Sequence, residues 1–417
     1  ASDVYKRQGI DNNLSLEGKR KEIQRSKYGV SENRSKLLPQ INAIAGYSNN
    51  FDPPVSVTDG SSYGVPYNIT QTLQHSANAG LEMQMPLFNQ TLYTSMSIAK
   101  VMEEISRLSY GKAREDVILQ ISKMYYLGQV TAEQIMLIKA NITRLEELRD
   151  ITQAFFNNGM SMEVDLKRVN INLENLKVQY DNAQAMMKQQ LNMLKYIMDY
   201  PAEKEIALTP VNTDSITTVA LTGLSENIYE LQLSQSQVQL AERQKKIIAN
   251  GYIPSLSLTG SWRYAAYTDK GYHWFHSGPS NQWFRSYGVG LTLRIPIFDG
   301  LDKTYKIKKA MIDIENKRLA WEDARKNLQT QYLNAVNDLM NNQRNFKKQK
   351  DNYLLAEDVY AVTSDRYREG IASMTEVLQD EMQMSEAQNN YISAHYNYRV
   401  TNLMLLKLTG QIESLVK

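Results

Sequence analysis

Two hydrophobic periods alternate along this chain. From Leu166 onward the apolar positions advance in alternating steps of three and four: Leu166, Val169, Leu173, Leu176, Tyr180, Ala183, Met187, Leu194 and Ile197, with one polar break at Gln190. That spacing describes a coiled-coil seam. Displaced by 211 residues, the same steps fall on Val377, Asp380, Met384, Ala387, Tyr391, Ala394, Tyr398, Thr401, Leu405 and Leu408, which keeps most of the seam. The ten prolines leave 87–200 and 297–417 free of proline, the residue that costs about 3 kcal/mol inside a helix. Each stretch therefore accommodates a helix over 90–156 or 301–368, a turn at Gly159 or Gly370, and a second helix over 161–199 or 373–409. At 1.5 Å per residue a helix of about 67 residues is roughly 100 Å long, far more than a globular core requires.

Ahead of each long helix the period changes to two. Leu256, Leu258, Trp262 and Tyr264 alternate with Ser255, Ser257, Thr259, Ser261 and Arg263, and Tyr287, Val289, Leu291, Leu293 and Ile295 alternate with Gly288, Gly290, Thr292 and Arg294. Leu81, Met83, Met85 and Leu87 face away from Asn78, Gly80, Glu82 and Gln84 in the same way. The predicted strands are 39–51, 77–88, 253–267 and 285–297, with loops over 52–76 and 268–284. The hexamer MPLFNQ at 85–90 returns as IPIFDG at 295–300. The chain thus reads as two structural repeats, 9–200 and 223–417, joined by a linker at 201–222, each in the order helix, strand, strand, long helix, helix.

The helices carry their own seams, so the apolar strand faces have no partner within the chain, and the opposite faces are small and polar. Aromatics bounding an apolar face about ten residues long are what outer-membrane barrels present to lipid. Three of the four tryptophans, Trp262, Trp274 and Trp283, crowd the second strand pair and are the membrane-interface candidates, whereas Trp321 reads as packing. Four strands cannot close a barrel alone, and open edges in lipid leave backbone groups unpaired. Two copies give eight strands and a filled interior, while three give twelve and a lumen. The small residues Gly288, Gly290, Ser255 and Ser257 favour the lumen. The expected fold is an α+β membrane channel-tunnel, with four strands per chain joining a trimeric 12-stranded β-barrel that a long α-helical coiled-coil barrel continues.

Composition narrows the chemistry further. The 47 Lys and Arg are balanced by 45 Asp and Glu, which leaves no electrostatic signature for nucleic acid. The absence of cysteine removes disulfides, thiolate metal sites and thiol nucleophiles. His273 and His276, in the aromatic segment GYHWFHSG, read as an exposed loop pair, since a metal site needs about four ligands. No phosphate loop, nucleophile or metal cluster stands at a recognisable spacing, so neither an enzymatic activity nor a cofactor is expected. No run of 18 apolar residues occurs and no signal peptide is visible. The opening DVYKRQ resembles the conceptual translation of a sequencing-library adapter, so residues 1–8 are read as a non-native leader with native sequence from Gly9.

The order of elements, the strands leading to PLF and PIFDG, and the turn RYREGIASMTEVL resemble the TolC-like outer-membrane efflux proteins (outer membrane factors) over residues 9–417. The resemblance implies a Gram-negative outer-membrane channel with a periplasmic helical barrel. Such channels act as the exit duct of a tripartite efflux pump or type I secretion system, and the partners implied are a periplasmic adaptor and an inner-membrane RND or ABC-type transporter. Asp165 and Glu376, each six residues past its turn glycine, match the family's carboxylates at the periplasmic tip, and Asp380 carries less weight. Tyr367 matches the tyrosine that joins inner and outer coils. The family's arginine partner falls at Ala372, so Arg366 and Arg368 are the candidates for a charged latch. For both acids a solvated first-turn position favoured by the helix dipole is an equally good reading. The adaptor-docking candidates are Gly159, Met160 and Ser161 with Gly370, Ile371, Ala372 and Ser373, whose plainer reading is turn chemistry. A soluble periplasmic coiled-coil scaffold or adaptor protein shares the helices and is the alternative function.

Overall fold

The computed structural model describes residues 9–53, 55–59, 64, 67–71, 73–209, 223–268 and 282–416. In chain order the elements are α1 (Leu14–Ser35), β1 (Gln40–Asn49), β2 (Val55–Asp59), β3 (Tyr67–Gln71), β4 (His75–Phe88), α2 (Gln90–Asn157) and α3 (Glu163–Ile197). The second half continues with α4 (Tyr229–Asn250), β5 (Ser255–Thr268), β6 (Trp283–Arg294), α5 (Asp302–Arg368), α6 (Met374–Leu408) and a 3-10 turn (Ile412–Leu415). The predicted leader at 1–8, most of the 201–222 linker, and His273, Trp274 and His276 lie outside the described residues.

The two sequence repeats do not become two bodies. One compact unit is built from Ala1–Ile23, Ile105–Gln235 and Arg318–Lys417, the other from Gln24–Glu104 and Ser236–Lys317, so each draws on both repeats.

The second of these units holds a four-stranded sheet in the order β1-β4-β5-β6, antiparallel throughout. Each strand meets its helix through local chemistry. Asn89 caps α2 by accepting the Thr91 and Leu92 amides at 3.0 and 3.3 Å. The buried Asn250 side chain at the end of α4 donates to Thr94 Oγ1 at 2.5 Å. β6 ends at Arg294, short of the expected 297, because Pro296 lacks the N–H that would continue a ladder. Gly300 and Leu301, both at φ 67°, then turn the chain into α5. β2 and β3 pair as a separate hairpin inside 52–76, which the sequence reading took as loop. Glycine and proline around these short β-branched runs masked them.

In the other compact unit α2, α3, α5 and α6 pack along apolar seams. Around the two turns Leu145, Leu148, Val169, Leu173, Val377 and Met384 form one cluster, and Ile118, Ile121, Leu194, Leu403 and Ile412 belong to another. Most of the α3 seam, Gln190 included, is buried as the spacing predicts. Most of the α6 seam falls where the repeat distance places it: Val377, Met384, Tyr391, Ala394, Tyr398, Leu405 and Leu408 are buried, whereas Asp380, Ala387 and Thr401 are half-buried. Glu381 and Gln388 are buried where Asp380 and Ala387 were expected, and His395 is buried seven residues further on.

Two of these polar seam residues are met from α2. Asn141 and Gln388 exchange amide hydrogen bonds at 2.7 and 3.4 Å. Tyr391 donates to Glu133 Oε1 at 3.0 Å, and Arg399 Nε donates to His395 Nε2 at 3.1 Å. The latter bond leaves the ring proton on Nδ1, 3.3 Å from Glu133 Oε2. Phe346 stacks on Tyr391 and Tyr398 and tilts onto His395.

Glu381 differs from its neighbours on the seam. It is 4% exposed, its Oε1 has no hydrogen-bond partner, and burial pushes its carboxyl from the ordinary 4.5 up to about 6. The folded state therefore favours the protonated acid, and stability falls as pH rises through 6. At about 1.4 kcal/mol per pKa unit the penalty above that pH is about 2 kcal/mol. Glu381→Gln is expected to stabilise the protein by about that amount at pH 8 and by little at pH 4.5. Denaturant unfolding at the two pH values measures both; an equal effect at each would show that the carboxylate is not held in a dry site.

Candidate functional site

The four-stranded sheet is amphipathic across its full width. Reading across the ladders, Ile41, Met83, Gly260 and Val289 share one rung, and Ala43, Leu81, Trp262 and Tyr287 share the next on the same face. Met85, Leu258 and Leu291 extend this face toward the helices. The opposite face carries Asn42, Glu82, Ser261 and Gly288 in one rung and Gln84, Thr259 and Gly290 in the next. Glu82 and Arg263 form an ion pair there. Adding a Cβ at Gly80, also on the polar face, would bring it 2.4 Å from the Trp262 carbonyl oxygen, so this position needs glycine to let β4 approach β5.

The apolar face is not covered by the chain that makes it. Val289 is 80% exposed and Leu291 67%, and every described position of β6 except Trp283 is exposed. Burying apolar area at about 25 cal/mol per Å² drives folding, so a continuous uncovered face of this kind marks a contact with something else. Of the exposed aromatic side chains, Tyr47 stands on this face at the end away from the helices, and Trp262 and Tyr287 share a rung within it. Phe88, Tyr252 and Phe298 lie where strands meet helices, while Tyr267 and Phe284 stand on the polar face. Of the three tryptophan candidates, Trp283 begins β6, Trp262 sits near the middle of β5 with its ring 5.6 Å from Tyr264, and Trp274 lies outside the described residues.

Both edges of the sheet, β1 and β6, lack a neighbour among the described residues. Alternation of direction along four strands makes these two edges antiparallel to one another. The β1 of another copy can therefore extend the ladder from β6 without changing the pairing type.

The helical turns form the other group of candidates. Gly159 (φ 76°) and Gly370 (φ 73°) close them in the same way, with the Met160 amide donating to Phe155 O and the Ile371 amide to Arg366 O, both at 2.8 Å. Beyond the glycines the turns differ. Ser373 opens α6 with a capping box: its hydroxyl accepts the Glu376 amide at 3.3 Å, and its own amide donates to Glu376 Oε2 at 2.7 Å. This bond from the Ser373 backbone, first among its causes, holds the Glu376 carboxyl below its usual range. The corresponding position before α3 is Met162, which supplies no side-chain cap.

Asp165 accepts from Arg168 at 3.3 Å, and the same guanidinium nitrogen reaches Thr375 Oγ1 at 3.3 Å, linking the starts of α3 and α6. Arg368 pairs with Asp365 at 3.1 Å and with Glu147 of α2 at 3.6 Å. Arg366 lies in the field of Glu376. Asp380 is half-buried and outside the seam. Tyr367 is buried, its hydroxyl 3.2 Å from that of Thr152 and its ring 5.7 Å from Phe155, so it ties α5 to α2. The structure thus brings Asp165, Tyr367, Arg368 and Glu376 to one end of this unit's helices, beside exposed Met160, Met162 and Ile371. Gly159, Gly370 and Ser373 are exposed there too, while Ser161 and Ala372 are half-buried. Sequence reasoning missed Arg168, which bridges the turns, and Arg144, which joins α2 to Glu357 of α5 at 2.8 Å. Charge spacing on one helix carries no signal for contacts between helices.

Among the described residues no helix is long and apolar enough to cross a membrane, and no group of three or more histidines, aspartates or glutamates is placed to hold a metal ion.

The family model for outer membrane efflux proteins matches residues 7–198 and 221–411. The chain belongs to that family. Outer membrane protein TolC of Vibrio cholerae is 21% identical over 399 residues, covering 92% of this chain and 84% of its own. The probable efflux pump outer membrane protein TtgC of Pseudomonas putida is 23% identical over 379 residues, covering 86% and 75%. Among solved structures, CusC, reported with conformational changes accompanying folding and transmembrane channel formation, superposes with a TM-score of 0.82 at 16% identity over 98% of this chain and 91% of its own. As a member of the family the chain is an outer-membrane efflux channel, and the uncovered apolar face is the part of it suited to lipid.

The inward packing of Tyr367 yields a test at the turns. Tyr367→Phe, which removes only the hydroxyl facing Thr152, is expected to cost about 1 kcal/mol, and Tyr367→Ala about 3–5 kcal/mol. Chemical unfolding reads both, and limited proteolysis at 155–163 should accelerate in the alanine variant alone. Equal costs for the two would place the tyrosine's contribution in its hydroxyl and not in its ring.

Proposed function

We propose that three copies of this chain close a 12-stranded barrel in the outer membrane and continue it as a helical tunnel in the periplasm. The assembly would serve as the exit duct of a tripartite efflux pump or type I secretion system. The observation that carries this reading is the one-layer sheet with an uncovered apolar face and two complementary edges. A soluble scaffold would have to fold that face inward, and this sheet is open on it. Twelve strands leave a lumen, and the small residues of the polar face suit a wet interior.

A second surface supports the same assembly. On α5 the exposed side chains Tyr305, Ile312, Leu319, Leu333, Met340 and Leu354 fall on one heptad spacing, interrupted by Lys326 and Lys347. On α3 exposed Ile171, Val178, Met186 and Met193 form a shorter stripe. Apolar stripes at this period are coiled-coil seams awaiting helices, and the neighbouring subunits supply them.

The turns at 155–163 and 366–374 are then the periplasmic tip. There Asp165 and Glu376 stand in threefold rings that favour cations, Arg366 and Arg368 act as latch residues, and Met160, Met162 and Ile371 offer apolar contacts to a periplasmic adaptor. An inner-membrane RND or ABC-type transporter completes the path.

Adjacent residues on opposite faces of β6 test the central claim. Leu291→Arg is expected to cost about 2–4 kcal/mol of membrane insertion and to abolish the SDS-resistant trimer in vesicles, while Thr292→Arg is expected to insert and conduct in planar bilayers. Normal insertion of the Leu291 variant would overturn the reading.

A further inference from the structure

The register of the sheet places Gln40, Phe88, Ser255 and Arg294 at one end, so α1, α2, α4 and α5 all meet the sheet at that end, within one compact unit. The helix segments there carry many cations. Some have partners: Lys36 has Glu32 at 3.6 Å, Lys303 has Asp299 at 2.9 Å, and Lys306 has Asp302 at 2.7 Å. Six have no ion pair among the described residues: Arg34 on α1, Arg243, Lys245 and Lys246 on α4, and Lys308 and Lys309 on α5. All are exposed except Lys245, which is half-buried. Over 27–36, 240–250 and 299–309 ten lysines and arginines stand against four acids, whereas the whole chain has 47 against 45. Positive charge is concentrated where the helices join the sheet.

The helix dipole accounts for one of this set. Arg34 stands in the last turn of α1, whereas α4 has no basic residue in its last turn and Lys308 and Lys309 lie just past the first turn of α5, whose N-terminus favours anions. Among the described residues Lys309 has no partner and Lys308 only approaches the Tyr305 ring at 5.7 Å. Between β6 and these lysines the chain carries exposed apolar residues. Ile297 is 93% exposed and Phe298 80%, past the last residue of the strand. From strand to helix the surface therefore passes from aliphatic to aromatic to cationic. That is the order of acyl chain, interface and phosphate in a phospholipid leaflet.

We infer that these six cations form a collar that selects anionic phospholipid headgroups in the leaflet on the helix side of the barrel. The inference rests on the membrane reading proposed above. Anionic lipid next to the collar gains Coulomb attraction that zwitterionic lipid does not, and the gain is screened by salt.

The test reconstitutes the full chain into phosphatidylcholine vesicles containing a trace of spin-labelled phosphatidylcholine or phosphatidylglycerol, and measures the motionally restricted fraction of each label. The expected association constant is about threefold higher for the glycerol lipid at low salt, falling to parity near 1 M salt, where the screening length is about 3 Å. The variant R34Q/R243Q/K245Q/K246Q/K308Q/K309Q is expected to keep the restricted choline lipid and lose the preference, while K308R/K309R keeps it. Equal association of the two lipids with the parent protein overturns the collar and leaves the membrane reading intact. Absence of a restricted component with either label overturns both. A preference that survives in the sextuple variant assigns the selectivity to other residues and also overturns the collar.

Discussion

The structure turns on a sheet that one chain cannot finish. Four antiparallel strands with most of their large apolar residues on one face would normally fold onto a second layer, because exposed apolar area is costly in water. Here that face stays open from Ile41 to Leu293, and both edges keep their backbone groups free of a neighbour among the described residues. Lipid answers the first deficiency and additional copies the second. Neither suffices alone, since an open edge in hydrocarbon leaves peptide groups unpaired and a closed ring in water leaves its outside bare. Membrane insertion and assembly are therefore a single requirement, which other chains and the bilayer have to meet together.

The helices satisfy a different condition. They have buried seams of their own, but the α6 seam is interrupted by a polar residue every seventh position, at Glu381, Gln388 and His395. Polar seam residues cost stability and specify register, because sliding α6 along α2 would strand the Asn141–Gln388 amide pair and the Glu133, Tyr391 and His395 group. Long helices packed only on leucine would tolerate such slips. Fixed register places Tyr367 against Thr152 and Phe155, so the turns are held in line by contacts far along the helices.

Much of this was legible in the sequence, for a physical reason. Periods of two and of three-and-four have different causes and do not imitate one another, so the strand pairs and long helices stand out even in a single chain. What failed was the polar part of the seam and the choice of partners. Carrying the α3 seam onto α6 by the repeat distance pointed to Asp380 and Ala387, because a template of apolar positions cannot recognise a seam built from Glu381 and Gln388. The hairpin at Val55–Asp59 and Tyr67–Gln71 was hidden by the glycine and proline around it. The role of Glu376 in a capping box was written in the Ser-x-x-Glu spacing at 373–376.

That capping box also separates the two halves of a duplicated chain. Both turns close on a glycine with positive φ, but only α6 begins with a side-chain cap, and a lost cap of this kind is worth about 1 kcal/mol. The start of α3 therefore depends more on its neighbours, through Arg168 and the Thr375 hydroxyl, than on its own sequence. A carboxylate engaged by its own backbone, as at Glu376, is poorly free to move; one held by a single exposed arginine, as at Asp165, is readily released. Were the two turns to part, the α2–α3 turn is the half whose local bonds resist least, and the α5–α6 turn is the half with its own cap. Duplication supplied two similar hairpins, and the difference between Met162 and Ser373 gives them unequal rigidity.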